Sequence, residues 1–215
     1  MPYIYGGENG CFHALNQNAM SAKKITLIVF AITMSYAVLR YHFLDSIPAS
    51  DIPFFILNKA LAYSGLILFG VAGLRIKSSD RHQIGMAAAY CLLAHVLITL
   101  TLFSADYFPK FLVNDGSRLT LYASLSLLCG VIAFGCLVHL WRVSISTRKG
   151  TEFSLVQGLG RILLIFAAGH SALMGVPTWL NPSMWPGSLP PITMLAFATA
   201  LIMLGITHQS KRSND

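Results

Sequence analysis

Six long apolar stretches joined by short connections constrain this chain more than any other feature of its sequence. They run from Ile25 to Phe43, Pro53 to Leu74, Ile84 to Ser104, Leu119 to Trp141, Leu159 to Val176 and Ile192 to Thr207. A helix that crosses a bilayer needs about 20 apolar residues, within a range of roughly 17 to 25. The last two stretches sit at the short end of that range. Hydrocarbon offers backbone groups no water, so segments of this kind fold as helices that pair their own N–H and C=O groups. Charged residues make up only 11% of the chain and hydrophobic ones 55%, and the mean hydropathy is +0.63. The expectation is an all-α, six-helix transmembrane bundle spanning residues 23–210. Tails at 1–22 and 211–215 flank it, the first expected to be poorly ordered.

No connection is long enough for a second folded domain. No G-x-G-x-x-G or Walker pattern is present, so the chain is expected to hold no flavin or nicotinamide site of its own. Residues 1–20 do not read as a signal peptide, because Glu8, Asn9 and Gly10 interrupt them. Met20, just before Ser-Ala-Lys-Lys, is an alternative start. Cys11, Cys91, Cys129 and Cys136 form no C-x-x-C pair, which removes zinc-finger, thioredoxin-like and c-type haem readings and leaves small apolar packing residues.

The basic residues sort by connection. Eleven of the fifteen lie on one side: Lys23, Lys24, Arg75, Lys77, Arg81, Arg142, Arg148, Lys149, Arg161, Lys211 and Arg212. Arg40, Lys59, Lys110 and Arg118 lie on the other. The positive-inside rule then predicts both termini in the cytoplasm, in a multi-pass inner (plasma) membrane protein. The formal charge of +7 is accounted for by these flanks and anionic lipid, with no basic stripe left for nucleic acid. The connection PTWLNPSMWPGSLPP, Pro177 to Pro191, cannot form a regular helix because of its prolines. Trp179 and Trp185 fit an interfacial aromatic belt; a lid over an outward-facing site is the alternative.

Seven histidines carry the chemistry of interest. His42, His82, His139 and His208 stand at span ends and His13 in the tail, where a solvated or interfacial imidazole is ordinary. His95 and His170 are different, because each lies deep within a span. Ionisable groups at that depth are strongly unfavourable and mark functional sites. His95 follows His82 by thirteen residues, and His170 follows Gln157 by thirteen, so each stands roughly 20 Å along a helix entered from the same side. Two imidazoles at one level, on different helices, suit the two axial positions of a haem iron. Gly85, Ala87, Ala88, Ala89, Ala94 and Gly169 would let a flat macrocycle approach the backbone, and equally suit ordinary small-residue helix packing.

The run Arg81-His82-Gln83-Ile84-Gly85, followed by Tyr90 and His95, together with Gly169-His170, resembles the ferric-reductase-like transmembrane family. The resemblance covers spans two to six and is specific around span three and His170. It implies a haem b membrane domain with His95 and His170 as axial ligands. Two-haem members of that family carry a further histidine where this chain has Gln157, followed by Gly158. The resemblance therefore implies one haem held by His95 and His170. Either no second haem binds, or a second uses a single protein ligand, or it sits where His82 pairs with His139 or His208, the site near His82 and His139 being the preferred one. Arg161, Arg118 or Arg40 would neutralise haem propionates.

The expected function is transfer of electrons across the bilayer. The donor would be a separate flavin reductase or a membrane quinol, and the acceptor an extracytoplasmic redox partner. A six-helix transporter or assembly factor, with His95 and His170 as a proton or substrate site, is the alternative. It lacks the internal repeat and broken helix pair of many transporters. An intramembrane hydrolase built on Ser171 or Ser64 has no nucleophile motif to support it.

Overall fold

The computed structural model describes residues 21–74, 78–104, 106–113, 118–146 and 153–212, and the side chains of all these except 78–79, 153–154 and 208–212. The N-terminal tail with Cys11, His13 and Met20, and residues 213–215, lie outside the described residues. Six helices long and apolar enough to cross a membrane follow one another. They are α1 (Ala22–Leu44), α2 (Ala49–Gly73), α3 (Ser78–Thr101), α4 (Leu121–Ile145), α5 (Phe153–Trp179) and α6 (Ile192–Arg212). Strand pairing among the described residues is a single bridge between Leu112 and Leu119.

Local chemistry sets several helix ends. The Thr120 hydroxyl accepts the Ala123 N–H at 3.2 Å and caps α4, filling one of the orphan donors of a first turn. α1 ends in a π-helical turn, Val38–Leu44, and α2 opens through a 3₁₀ turn and a second π turn, Ile52–Ile56. Pro48 and Pro53 lie in this corner, where an imino acid can be accommodated at the start of a helix. α5 begins before the apolar stretch that announced it, at Phe153, taking in Gln157 and Gly158, and carries Pro177 in its last turn. α6 likewise continues past Thr207. Hydropathy ends at the first polar residues, whereas backbone hydrogen bonding continues through them.

α2 is the centre of the bundle. It has 44% of its span buried, against 17–22% for the other five, and it packs on α1, α3 and α6. α5 packs between α4 and α6. At the end holding both chain termini, Ala22, Leu68, Ala72, Ile84 and Ala88 form one core cluster. Leu66, Leu164, Ala168 and Ala200 join α2, α5 and α6, and Ala89, Leu137 and Leu163 join α3, α4 and α5. Ala88 and Ala89 therefore act as helix-packing residues.

The opposite end is closed by the connection after α5. Two one-turn pieces, Pro182–Met184 and Pro186–Ser188, break it up as the prolines require. Gly187 adopts φ 56° with Leu44 packed against its Cα, a backbone conformation that glycine takes without a Cβ penalty. The Tyr36 hydroxyl donates to Pro190 O and Arg40 Nη1 to Leu189 O, tying the connection to α1. Trp185 Nε1 donates to Thr178 O at 2.9 Å and Trp179 Nε1 to Thr193 Oγ1 at 3.1 Å. Both indoles stand at the expected end of the bundle with their N–H groups turned inward.

Candidate functional site

His95 projects from the middle of α3 towards α2. Its Nδ1 lies 2.7 Å from Asn58 Oδ1. Asn58, only 3% exposed, donates through Nδ2 to Thr99 Oγ1 at 2.9 Å. With the amide nitrogen committed to Thr99, Oδ1 faces the ring and accepts from it. His95 is thus held with its proton on Nδ1, and Nε2 is left as a bare lone pair.

His170, on α5, reaches the same state through α4. Its Nδ1 lies 2.9 Å from Ser126 O and 3.0 Å from Ser126 Oγ. A carbonyl can only accept, so Nδ1 donates. Ser126 Oγ in turn donates to His170 O at 2.9 Å, so its lone pairs also face the ring. Gly130, one turn beyond Ser126, allows the imidazole to lie against α4; a Cβ there would stand 3.1 Å from Nδ1. Each histidine is therefore anchored at Nδ1 by a neighbouring helix, and no hydrogen bond engages either Nε2 among the described residues.

His95 and His170 stand on α3 and α5, which meet α4 in the cluster of Ala89, Leu137 and Leu163. α3 and α5 are not among the closely packed helix pairs. Both rings are half-buried. No three of His, Cys, Asp and Glu gather at a point among the described residues. A metal held here would be held by two neutral imidazoles, the donor set of a bis-histidine haem. An acceptor at Nδ1 is the usual companion of a metal-bound histidine, fixing tautomer and orientation. The residues present fit that group.

Closer to the termini, the same helices enclose a cavity of about 400 Å³. Arg81, His82, Trp141, Ser144, Gln157, Arg161 and Thr207 contribute its polar lining. His82 Nδ1 pairs with Ser144 Oγ at 2.9 Å, and Arg161 Nη2 donates to Thr207 O at 2.9 Å. Arg161 Nε and Trp141 Nε1 are buried without a partner. His82 and Arg161 thus line the same cavity. His139 is not: it is exposed and does not line the cavity. Five residues separate it from Ser144, about 140° around a helix, so the face that meets His82 turns His139 away. The side chain of His208 lies outside the described residues. His42 bonds Ile47 O at 2.7 Å near the loop end, and Arg118 is exposed.

The serines of the hydrolase reading are engaged elsewhere. Ser171 Oγ donates to Ala167 O at 2.9 Å and Ser64 Oγ to Ala60 O at 2.7 Å, the back-bonding ordinary for serine in apolar helices. Cys91, Cys129 and Cys136 are free and half-buried.

Asn58, Thr99 and Ser126 escaped the sequence reading. A signal for Asn58 was present, since an amide within an apolar span needs a buried partner as much as an imidazole does. Ser126 carried none, because serine is common in membrane helices. No protein-family model matches the chain, and no curated protein sequence matches it.

Proposed function

We propose that this chain is a ferric-reductase-like haem b protein of the plasma membrane that moves electrons across the bilayer. The observation carrying this reading is the paired tautomer lock. Two mid-span imidazoles from different helices are both held with Nδ1 donating and Nε2 bare. A proton relay or substrate site would have no need of the same lock on both rings, whereas two axial ligands do.

A haem bound there supplies a one-electron iron couple. The chain's own residues determine how it is held. Asn58 and Ser126 orient the rings and raise their basicity through the Nδ1 hydrogen bonds. The surrounding apolar helices exclude water and disfavour added charge. The excess of lysine and arginine near the start of α1 and the end of α6 supports a cytoplasmic orientation for that end. A separate flavin reductase or a membrane quinol would donate there, and an extracytoplasmic acceptor would take the electron at the loop end.

Reduced-minus-oxidised visible spectra of purified protein, produced with haem supplied, test the proposal. A low-spin b-type spectrum at about one haem per chain is the expected result. A colourless preparation would sink it and leave the transporter or assembly-factor reading.

A further inference from the structure

Three cations gather at the loop end of the bundle. Arg40 lies on the π turn of α1, Lys59 near the start of α2, and Lys110 between α3 and α4. Arg40 is 5% exposed, and its Nε is buried without a partner. Lys59 Nζ lies 4.2 Å from the centre of the Phe55 ring and 4.9 Å from that of Tyr41. The Arg40 guanidinium carbon stands 5.4 Å from the same Tyr41 ring. All three cations are close enough to repel one another, and Asp45 is the carboxylate that acts on both lysines. None of the three is ion-paired among the described residues. The Lys110 amine, outside the spans, is held below the ordinary lysine value by partial burial and by Arg40, against the pull of Asp45.

Aromatic faces offset some of this charge but do not neutralise it. A buried cation without a counter-charge, as Arg40 is here, is strongly unfavourable. It stands beside a half-buried Lys59 and an exposed Lys110, and among the described residues the cluster is short of negative charge. We propose that Arg40, Lys59 and Lys110 form an anion-binding site for a carboxylate- or phosphate-bearing group at the loop end of the bundle. Arg40 offers a planar fork suited to either group, and the lysines offer two mobile point charges. The site is joined to the histidine pair. Lys59 directly follows Asn58, the anchor of His95. The existence of the site does not depend on the haem proposal, but one of its two possible anions does. The carboxylates belong either to the haem's own propionates or to a soluble anion arriving from outside.

Thermal unfolding of the full chain in detergent, titrated with citrate and separately with inorganic phosphate at constant ionic strength, tests the site. Two preparations are needed, one with haem supplied and one produced without it. A saturable rise in unfolding temperature, a few degrees at ten times Kd, is expected; an excluded salt would act without saturation. Saturable stabilisation of the haem-supplied protein identifies a soluble anion. Stabilisation confined to the haem-free protein identifies the propionates. No saturable stabilisation in either preparation overturns the proposal. Should the protein bind no haem at all, the two preparations behave alike and the anion response still decides. Lys59→Met and Arg40→Gln should each weaken the response at least tenfold, and an unchanged response in both variants overturns the assignment. If neither variant folds, the wild-type titrations still decide.

Discussion

The bundle offers two levels on the same pair of helices, and they are built in opposite ways. At the deeper level α3 and α5 present His95 and His170, each anchored at Nδ1 by a neighbouring helix. Thirteen residues nearer the termini they present His82 and Gln157, facing a cavity with two unpartnered buried donors, Arg161 Nε and Trp141 Nε1. The deeper level has a matched donor pair with satisfied second partners. The shallower one has a single imidazole and surplus hydrogen-bond donors. Matched depth on two helices is therefore not enough for a symmetrical metal site. His82 is also held at Nδ1, by Ser144, so what distinguishes the levels is the second ring: the deeper level has His170, the shallower has Gln157 in its place.

Removing a ring at the deeper level should have the largest effect. His170→Ala is expected to abolish the low-spin b-type spectrum, whereas His82→Ala should leave it at full intensity per protein. A His170→Ala protein with an unchanged spectrum would break the contrast between the levels. The converse experiment tries to convert one level into the other. Gln157→His places a second imidazole on the cavity wall opposite His82, and haem content should rise from about one per chain towards two. Haem content that stays at one would mean that the cavity, not only its donor set, differs.

Much of this was legible in the sequence because it follows from burial alone. Apolar stretch length announced six helices, and the unfavourable depth of His95 and His170 announced the pair. The details that escaped depend on which face of a helix meets which neighbour. His139 appeared equivalent to any span-end histidine, yet the face that brings Ser144 to His82 turns it outward. Asn58 and Ser126 became visible only once α2 and α4 were seen to pack beside α3 and α5. The true start of α5 was hidden because Gln157 and Gly158 close off the apolar run without interrupting the helix.

Asn58 gives an intermediate effect. Asn58→Leu keeps the volume but leaves the His95 Nδ1–H, in an apolar setting, without its acceptor. An unsatisfied buried donor costs about 1–3 kcal/mol, and loss of such a partner typically weakens metal affinity about 10–100-fold. The spectrum should remain bis-histidine in form, with faster haem loss to an acceptor such as apomyoglobin and an altered midpoint potential. The same change at the shallower level, Ser144→Ala beside His82, should alter neither measurement. If the two variants behaved alike, the Asn58 hydrogen bond to His95 would have no part in holding the haem.

The smallest effect is the most diagnostic of how His170 is seated. Gly130 and Gly135 lie on the same helix, but a Cβ at Gly130 would stand 3.1 Å from His170 Nδ1, while one at Gly135 would meet nothing within 4 Å. Alanine in place of glycine within a helix gains roughly 0.5–1 kcal/mol of stability. Gly135→Ala should show that gain undiminished and leave the spectrum unchanged. Gly130→Ala receives the same backbone gain but must push the imidazole a few tenths of an ångström off Ser126, weakening a hydrogen bond worth about 0.5–1.5 kcal/mol. The two terms nearly cancel, so its unfolding temperature should stay within about 3 °C of the wild type. Its haem dissociation should nevertheless quicken several-fold, because the ring displaced is the one proposed to hold the iron. If the two variants matched in both stability and haem retention, the close seating of His170 on α4 would have no part in the site.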